Sequence, residues 1–264
     1  MLINESKLRS IIRSVLAEGI YDPGILKAVF MAGGPGSGKS FTAKTIFGGD
    51  PKSAINVSTA SGLKIVNSDP AFEKFLRDVG VDPADLGSMP KADFEALTDP
   101  DDPESPRTKA KAIKKLSQDV WTKEDSKLGV IIDGTGDDFS KITARKEALE
   151  DLGYDTYMVF VNTSLEVAQE RNANRDRKLP EDIVEEIWSD VQQNLGGFQN
   201  LFGANNIVIV DNTVYGPIPE EIQKAVNRFL ARPIQNRIGR KWIEDELGQR
   251  GGGTKKERGR LLGR

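Results

Sequence analysis

Residues 33–40 read Gly-Gly-Pro-Gly-Ser-Gly-Lys-Ser. Glycines at this spacing let the backbone curl until successive N–H groups converge, the arrangement that holds phosphate oxygens. A lysine directly before a hydroxyl residue adds a point charge for the terminal phosphates and an oxygen ligand for magnesium. Gly33, Gly34, Pro35, Gly36, Ser37, Gly38, Lys39 and Ser40 match the pattern Gly, four residues, Gly-Lys-[Ser/Thr] at every defined position and are assigned to nucleotide binding. Lys39 is also placed in catalysis and Ser40 at the metal. The apolar run at 28–32 leads into this loop as a strand. The helix that follows aims its positive end at the phosphates.

Two carboxylates stand where such a loop can use them. Residues 128–133, LGVIID, form an apolar strand closed by Asp133, the form that holds the magnesium shell through Ser40 or water. Residues 63–67, LKIVN, are a second strand, and Asp69 follows just past its carboxyl end, the edge at which open α/β sheets bind ligands. Asp69 could accept a proton from an attacking hydroxyl, although an Asp before Pro70 also suits a plain turn. Arg171, Arg175 and Arg177 follow the fourth strand, on one helix whose i,i+4 spacing puts the first two on one face. There they form a mobile lid over a transferring phosphoryl, with Arg171 and Arg175 catalytic and Arg177 on the nucleotide, or a solvated helix with ion pairs.

Composition excludes other chemistries. The sequence of 264 residues contains no cysteine and no histidine, which removes disulfides, thiol nucleophiles, zinc sites and histidine bases together. Net charge is −3, so contact with nucleic acid would need a local basic patch. No segment approaches the ~20 apolar residues of a membrane span.

The elements that must position these groups follow from periodicity. Five apolar strands (25–32, 63–67, 128–133, 156–162 and 206–210) alternate with helices. That pattern predicts an α/β fold of three layers, the P-loop NTPase fold, with a mostly parallel five-stranded sheet and helices on both faces. Residues 80–106 carry prolines at 83, 90, 100, 103 and 106 and read as a long loop or substrate-side flap. A helix over 107–122 is basic through Lys109, Lys111, Lys114 and Lys115, as a solvated face or as a groove for a phosphorylated or polyanionic acceptor. A long amphipathic helix begins at Pro180-Glu181 and ends at Gly196-Gly197, and another spans 219–231. Three segments result: an amphipathic leader at 1–18, the P-loop domain at 19–231, and a basic, glycine-rich tail at 232–264 expected to be disordered. The tail and the Lys109–Lys115 helix are the places where nucleic acid could bind.

GGPGSGKS, IVNSD, IIDGT and RNANRDRKLP, in that order over residues 26–230, resemble the zeta-toxin and polynucleotide-kinase branch of P-loop kinases. The resemblance implies an ATP- and Mg²⁺-dependent kinase that transfers the γ-phosphate to a hydroxyl of a nucleotide, polynucleotide or modified DNA base. It makes Asp69 the acceptor-activating aspartate and Arg171 and Arg175 the lid arginines. Where family members place a basic residue shortly after the aspartate, this chain has Pro70-Ala71-Phe72-Glu73 before Lys74. A kinase of a nucleotide-sugar, and a P-loop ATPase or nucleotide-binding virion protein without an acceptor, are the competing readings. Leu16-Ala17-Glu18-Gly19 resembles the site cut by prohead proteases of tailed phages, which implies a capsid-targeting leader, cleavage after Glu18 and packaging in the virion. Otherwise a cytoplasmic protein, the host's cytoplasm if phage-encoded, is expected.

Overall fold

The computed structural model describes residues 19–48, 59, 61–122, 126–175, 177–249 and 253–263. The 1–18 leader lies outside them. Strands β1 (Lys27–Ala32), β2 (Lys64–Val66), β3 (Val130–Asp133), β4 (Asp155–Asn162) and β5 (Ile207–Asp211) form one sheet in the order β2-β3-β1-β4-β5. All four pairings are parallel. The central strand is apolar from Ala28 to Ala32 because both of its faces are covered, and all six of its residues are buried, Lys27 in an ion pair with Asp155 at 2.9 Å. Ala28, Phe30 and Ala32 face one layer, and Val29 and Met31 face the other.

The helices are α1 (Lys39–Phe47), α2 (Asp69–Asp78), α3 (Lys91–Thr98), α4 (Pro106–Thr122), α5 (Phe139–Asp151), α6 (Leu165–Ala173), α7 (Glu181–Phe202), α8 (Glu220–Ala231), α9 (Arg237–Gln249) and α10 (Lys255–Leu262). Helices α1 and α8 cover one face of the sheet through Ile46, Phe47, Val226 and Phe229. Helices α5, α7, α9 and α10 cover the other, with Leu149, Phe198, Ile243 and Leu261 in its core. A smaller core beside the sheet joins α2, α3 and α4 through Phe72, Leu76, Phe94 and Ala110. The three-layer α/β fold is thus as expected, with the sheet wholly parallel.

Three expectations are corrected. The 80–106 segment is not a bare loop: it carries a 3-10 turn at Pro83–Ser88 and α3, because Leu86 and Phe94 bury into the small core. Helix α7 does not stop at Gly196-Gly197 but runs on to Phe202. Gly197 is there for close approach, since a Cβ at that position would lie 2.7 Å from the Phe139 ring. The described part of the 232–264 tail is ordered. Gly239, Ile243 and Leu247 recur at a spacing of four and bury one stripe of α9. Helix α10 opens with a capping box between Thr254 and Glu257, and its Leu261 and Leu262 are buried. Arg260 Nη2 ties it to the Ile20 carbonyl at 2.9 Å. Averaged over the tail, glycine and charge hid a helical spacing of apolar residues.

Candidate functional site

β1 ends at Ala32 and the chain turns through 33–38 into α1. Gly36 has φ +73°, and a Cβ there would stand 2.3 Å from the Ala168 carbonyl oxygen. Gly38 has φ +89° and is the residue from which α1 starts. Both positions require glycine. The loop is braced from outside: Asn212 Nδ2 donates to Ser37 O at 2.7 Å, and Gly33 N donates to Thr135 O at 2.7 Å. Lys39 Nζ donates to the carbonyl oxygens of Gly33 and Gly34, at 3.3 Å to the latter. Burial lowers the pKa of its ammonium, against the pull of Asp133 and Asp69.

The loop opens into a cavity of about 490 Å³. Gly34, Pro35, Gly36, Gly38, Lys39 and Ser40 line one end together with Asp133, while Gly33 and Ser37 stand behind that surface. Ser37 is buried and its hydroxyl has no partner. Asp133 closes β3, and burial raises its carboxyl pKa, countered by Lys39 and Lys114. Its Oδ1 is buried without a hydrogen-bond partner. An orphaned carboxylate oxygen in the same cavity as the Ser40 hydroxyl fits magnesium, which takes one or two protein oxygens and leaves its other positions to phosphate and water. Among the described residues no group of three or more His, Cys, Asp or Glu side chains could hold a metal ion.

Asp69 lines the same cavity from the first residue of α2, where its N–H is held by Asn67 Oδ1 at 2.9 Å. Arg177 Nη2 lies 3.0 Å from one carboxylate oxygen and Arg107 Nη1 3.5 Å from the other. Burial would raise the Asp69 carboxyl, but Arg177 and then Arg107 outweigh it and hold the pKa at about 2.

Arg171, Arg175 and Arg177 converge on the cavity, though not from one helix. Only Arg171 lies on α6, and its Nη1 is 3.4 Å from Gly36 O. The helix stops at Ala173 because buried Asn172 clamps the returning chain, donating to Leu179 O at 2.8 Å and accepting from Leu179 N at 3.0 Å. Arg175 and Arg177 therefore reach the cavity from the loop.

The sequence gives no site role to Phe72, Phe94, Thr135, Asp137, Ile183 or Ile187. All six line the cavity. Helix α4 divides its charges. Arg107 and Lys111, one turn apart, line the cavity, whereas Lys109 pairs with Glu104 at 2.7 Å. Lys114 is buried, with Nζ on the Asp133 carbonyl; burial and then Arg145 lower its pKa to about 8. The i, i+4, i+7 spacing of Arg107, Lys111 and Lys114 was the available signal.

Strand order, loop and closing aspartate define a P-loop nucleotide-binding fold of the α/β class. A family profile described as an AAA domain matches residues 29–197, and the chain belongs to that family. No curated protein matches it. Among solved structures, the complex AvrRxo1-ORF1:AvrRxo1-ORF2 with sulphate ions is similar at TM-score 0.51 and 9% identity, over 80% of this chain. The chain spans 64% of that protein's length, and the likeness is one of fold. The PezAT toxin–antitoxin system of Streptococcus pneumoniae aligns at TM-score 0.47 and 13% identity, over 94% of this chain and 99% of the other. Shikimate kinase from Acinetobacter baumannii, in complex with shikimate, aligns at TM-score 0.37 and 13% identity, over 82% and 96%.

Proposed function

We propose that this protein is an ATP-dependent phosphotransferase that moves the γ-phosphate to a hydroxyl of a nucleotide-class acceptor. One observation carries the reading: Asp69 opens into the same cavity as Lys39 and Ser40, a cavity that also has apolar walls. A hydrolase needs only water at that place. An apolar-walled chamber facing the phosphate loop suits an organic acceptor instead.

The roles follow from position. The loop N–H groups and Lys39 hold the β- and γ-phosphates. Arg171 and Arg175 neutralise charge that spreads over the transferring phosphoryl, the main demand of this chemistry. Asp69, ionised at neutral pH, accepts a hydrogen bond from the acceptor hydroxyl and orients its oxygen for in-line attack. A loose transition state asks more of that placement than of base strength. The γ-phosphorus–oxygen bond to the leaving diphosphate breaks as the bond to the acceptor oxygen forms, and the hydroxyl proton passes to the carboxylate or to water. Magnesium, held by Ser40 and Asp133, supplies further charge neutralisation when bound.

The test is transfer from γ-labelled ATP with Mg²⁺ to a panel of nucleosides, nucleotides, 5′-hydroxyl oligonucleotides, hydroxymethylated DNA and UDP-N-acetylglucosamine. A labelled organic product, identified by mass and missing with Lys39→Ala, is expected. Label in inorganic phosphate alone across the panel would favour the ATPase reading.

A further inference from the structure

The acceptor end of the cavity is itself built for an anion. Six cationic and three acidic side chains line the cavity, a surplus of three positive charges. A nucleoside triphosphate with one magnesium ion brings only about two negative charges at neutral pH. Arg171 stands at the phosphate loop, with Nη1 3.4 Å from Gly36 O, whereas Arg107 and Arg177 stand at Asp69. Arg107 and Arg177 share the carboxylate of Asp69, and Glu73 offers Arg177 Nε a second, longer contact at 3.9 Å. Arg177 Nη1 is buried without a protein hydrogen-bond partner, so it has a donor to offer to water or to a bound anion. Lys111, one turn beyond Arg107, lines the same cavity.

The guanidinium groups are held in place before any ligand arrives. Arg107 and Arg177 lie 5.1 and 5.9 Å from the centroid of Phe72, within cation–π range. Phe72 is thereby occupied. The apolar surface left to an acceptor is Phe94 of α3 and Leu179, Ile183 and Ile187. An anion site next to an aromatic and aliphatic wall, in a chamber of this size, fits a planar ring carrying a phosphate.

We infer that the acceptor is a free nucleoside monophosphate, its existing phosphate received by Arg107, Lys111 and Arg177 and its base laid against Phe94 and Ile183. This rests on the kinase reading of the same site. It differs from that reading in requiring an acceptor that is already phosphorylated.

The experiment is calorimetric titration of the full chain saturated with a non-hydrolysable ATP analogue and Mg²⁺, so that the phosphate loop is filled. The titrants are AMP, CMP, GMP and UMP, each beside its parent nucleoside, and a 5′-phosphorylated oligonucleotide. At least one monophosphate should bind tenfold or more tightly than its nucleoside. Lys111→Gln and Arg107→Gln should bring that ratio towards one while still binding the analogue, which reports an intact fold. Equal binding in all four pairs, or a preference that survives both substitutions, would overturn the inference. So would an oligonucleotide that binds as tightly as the best mononucleotide. A preference for monophosphates without γ-phosphate transfer to them would support the anion site and overturn the kinase reading instead.

Discussion

The two ends of the cavity are made in different ways. The phosphate end is one contiguous segment, residues 33–40, whose shape comes from backbone conformation at Gly36 and Gly38. The proposed acceptor end comes from side chains of α2, α3, α4, α7 and the loop after α6, beside a small core that joins α2, α3 and α4. A site made of backbone tolerates almost no change in its own residues. A site made of side chains can be retuned one contact at a time, which is how one fold serves many acceptors.

Substitutions can break or sharpen this contrast. Lys39→Ala should have a large effect on the reaction, lowering the turnover rate by about 10²–10³-fold, since it removes a charge aimed at the transferring group. Steady-state transfer kinetics check it. Gly36→Ala tests whether backbone alone makes the phosphate end. A methyl driven against Ala168 O should cost about 3 kcal/mol locally, hence roughly a hundredfold in nucleotide affinity, read by titration with an ATP analogue. Phe94→Ala probes the other end. Acceptor KM should rise about tenfold with nucleotide KM unchanged, as a separate side-chain wall requires. If both constants moved together, the two ends would not be independent.

The smallest effect concerns pH. The Asp69 pKa is depressed to about 2, so its ion pairs contribute stability above the unfolded carboxyl's pKa of 3.8. That contribution is lost as pH falls towards 2. The difference in thermal midpoint between wild type and Asp69→Asn should therefore stay constant from pH 5 to 8 and shrink below pH 4, as melting curves across that range would show. A difference that changed near neutrality would mean that the arginines do not hold Asp69.

The same contrast explains what could be read from the chain. The phosphate loop, the strands and Asp133 were legible because each is a local pattern: a fixed spacing or an apolar run with a polar end. Asp69 was legible from its place after β2. Phe94 was not, because its role depends on α3 folding back onto α2 and α4, and nothing within residues 80–106 announces that contact. The early stop of α6 was hidden for a similar reason: Asn172 bonds to Leu179, seven residues on, and a helix-period reading runs past it. In the tail, the stripe of Gly239, Ile243 and Leu247 was present but outweighed by the surrounding glycine and charge.

The central claim is that Asp69 serves an acceptor and not the nucleotide. The most direct test follows the fate of the γ-phosphate under single-turnover conditions, with saturating nucleotide, in wild type and Asp69→Ala. Transfer to the acceptor should fall by about 10²–10⁴-fold while nucleotide affinity stays within about twofold. Release of the γ-phosphate to water alone, at the same rate in both proteins, would contradict it.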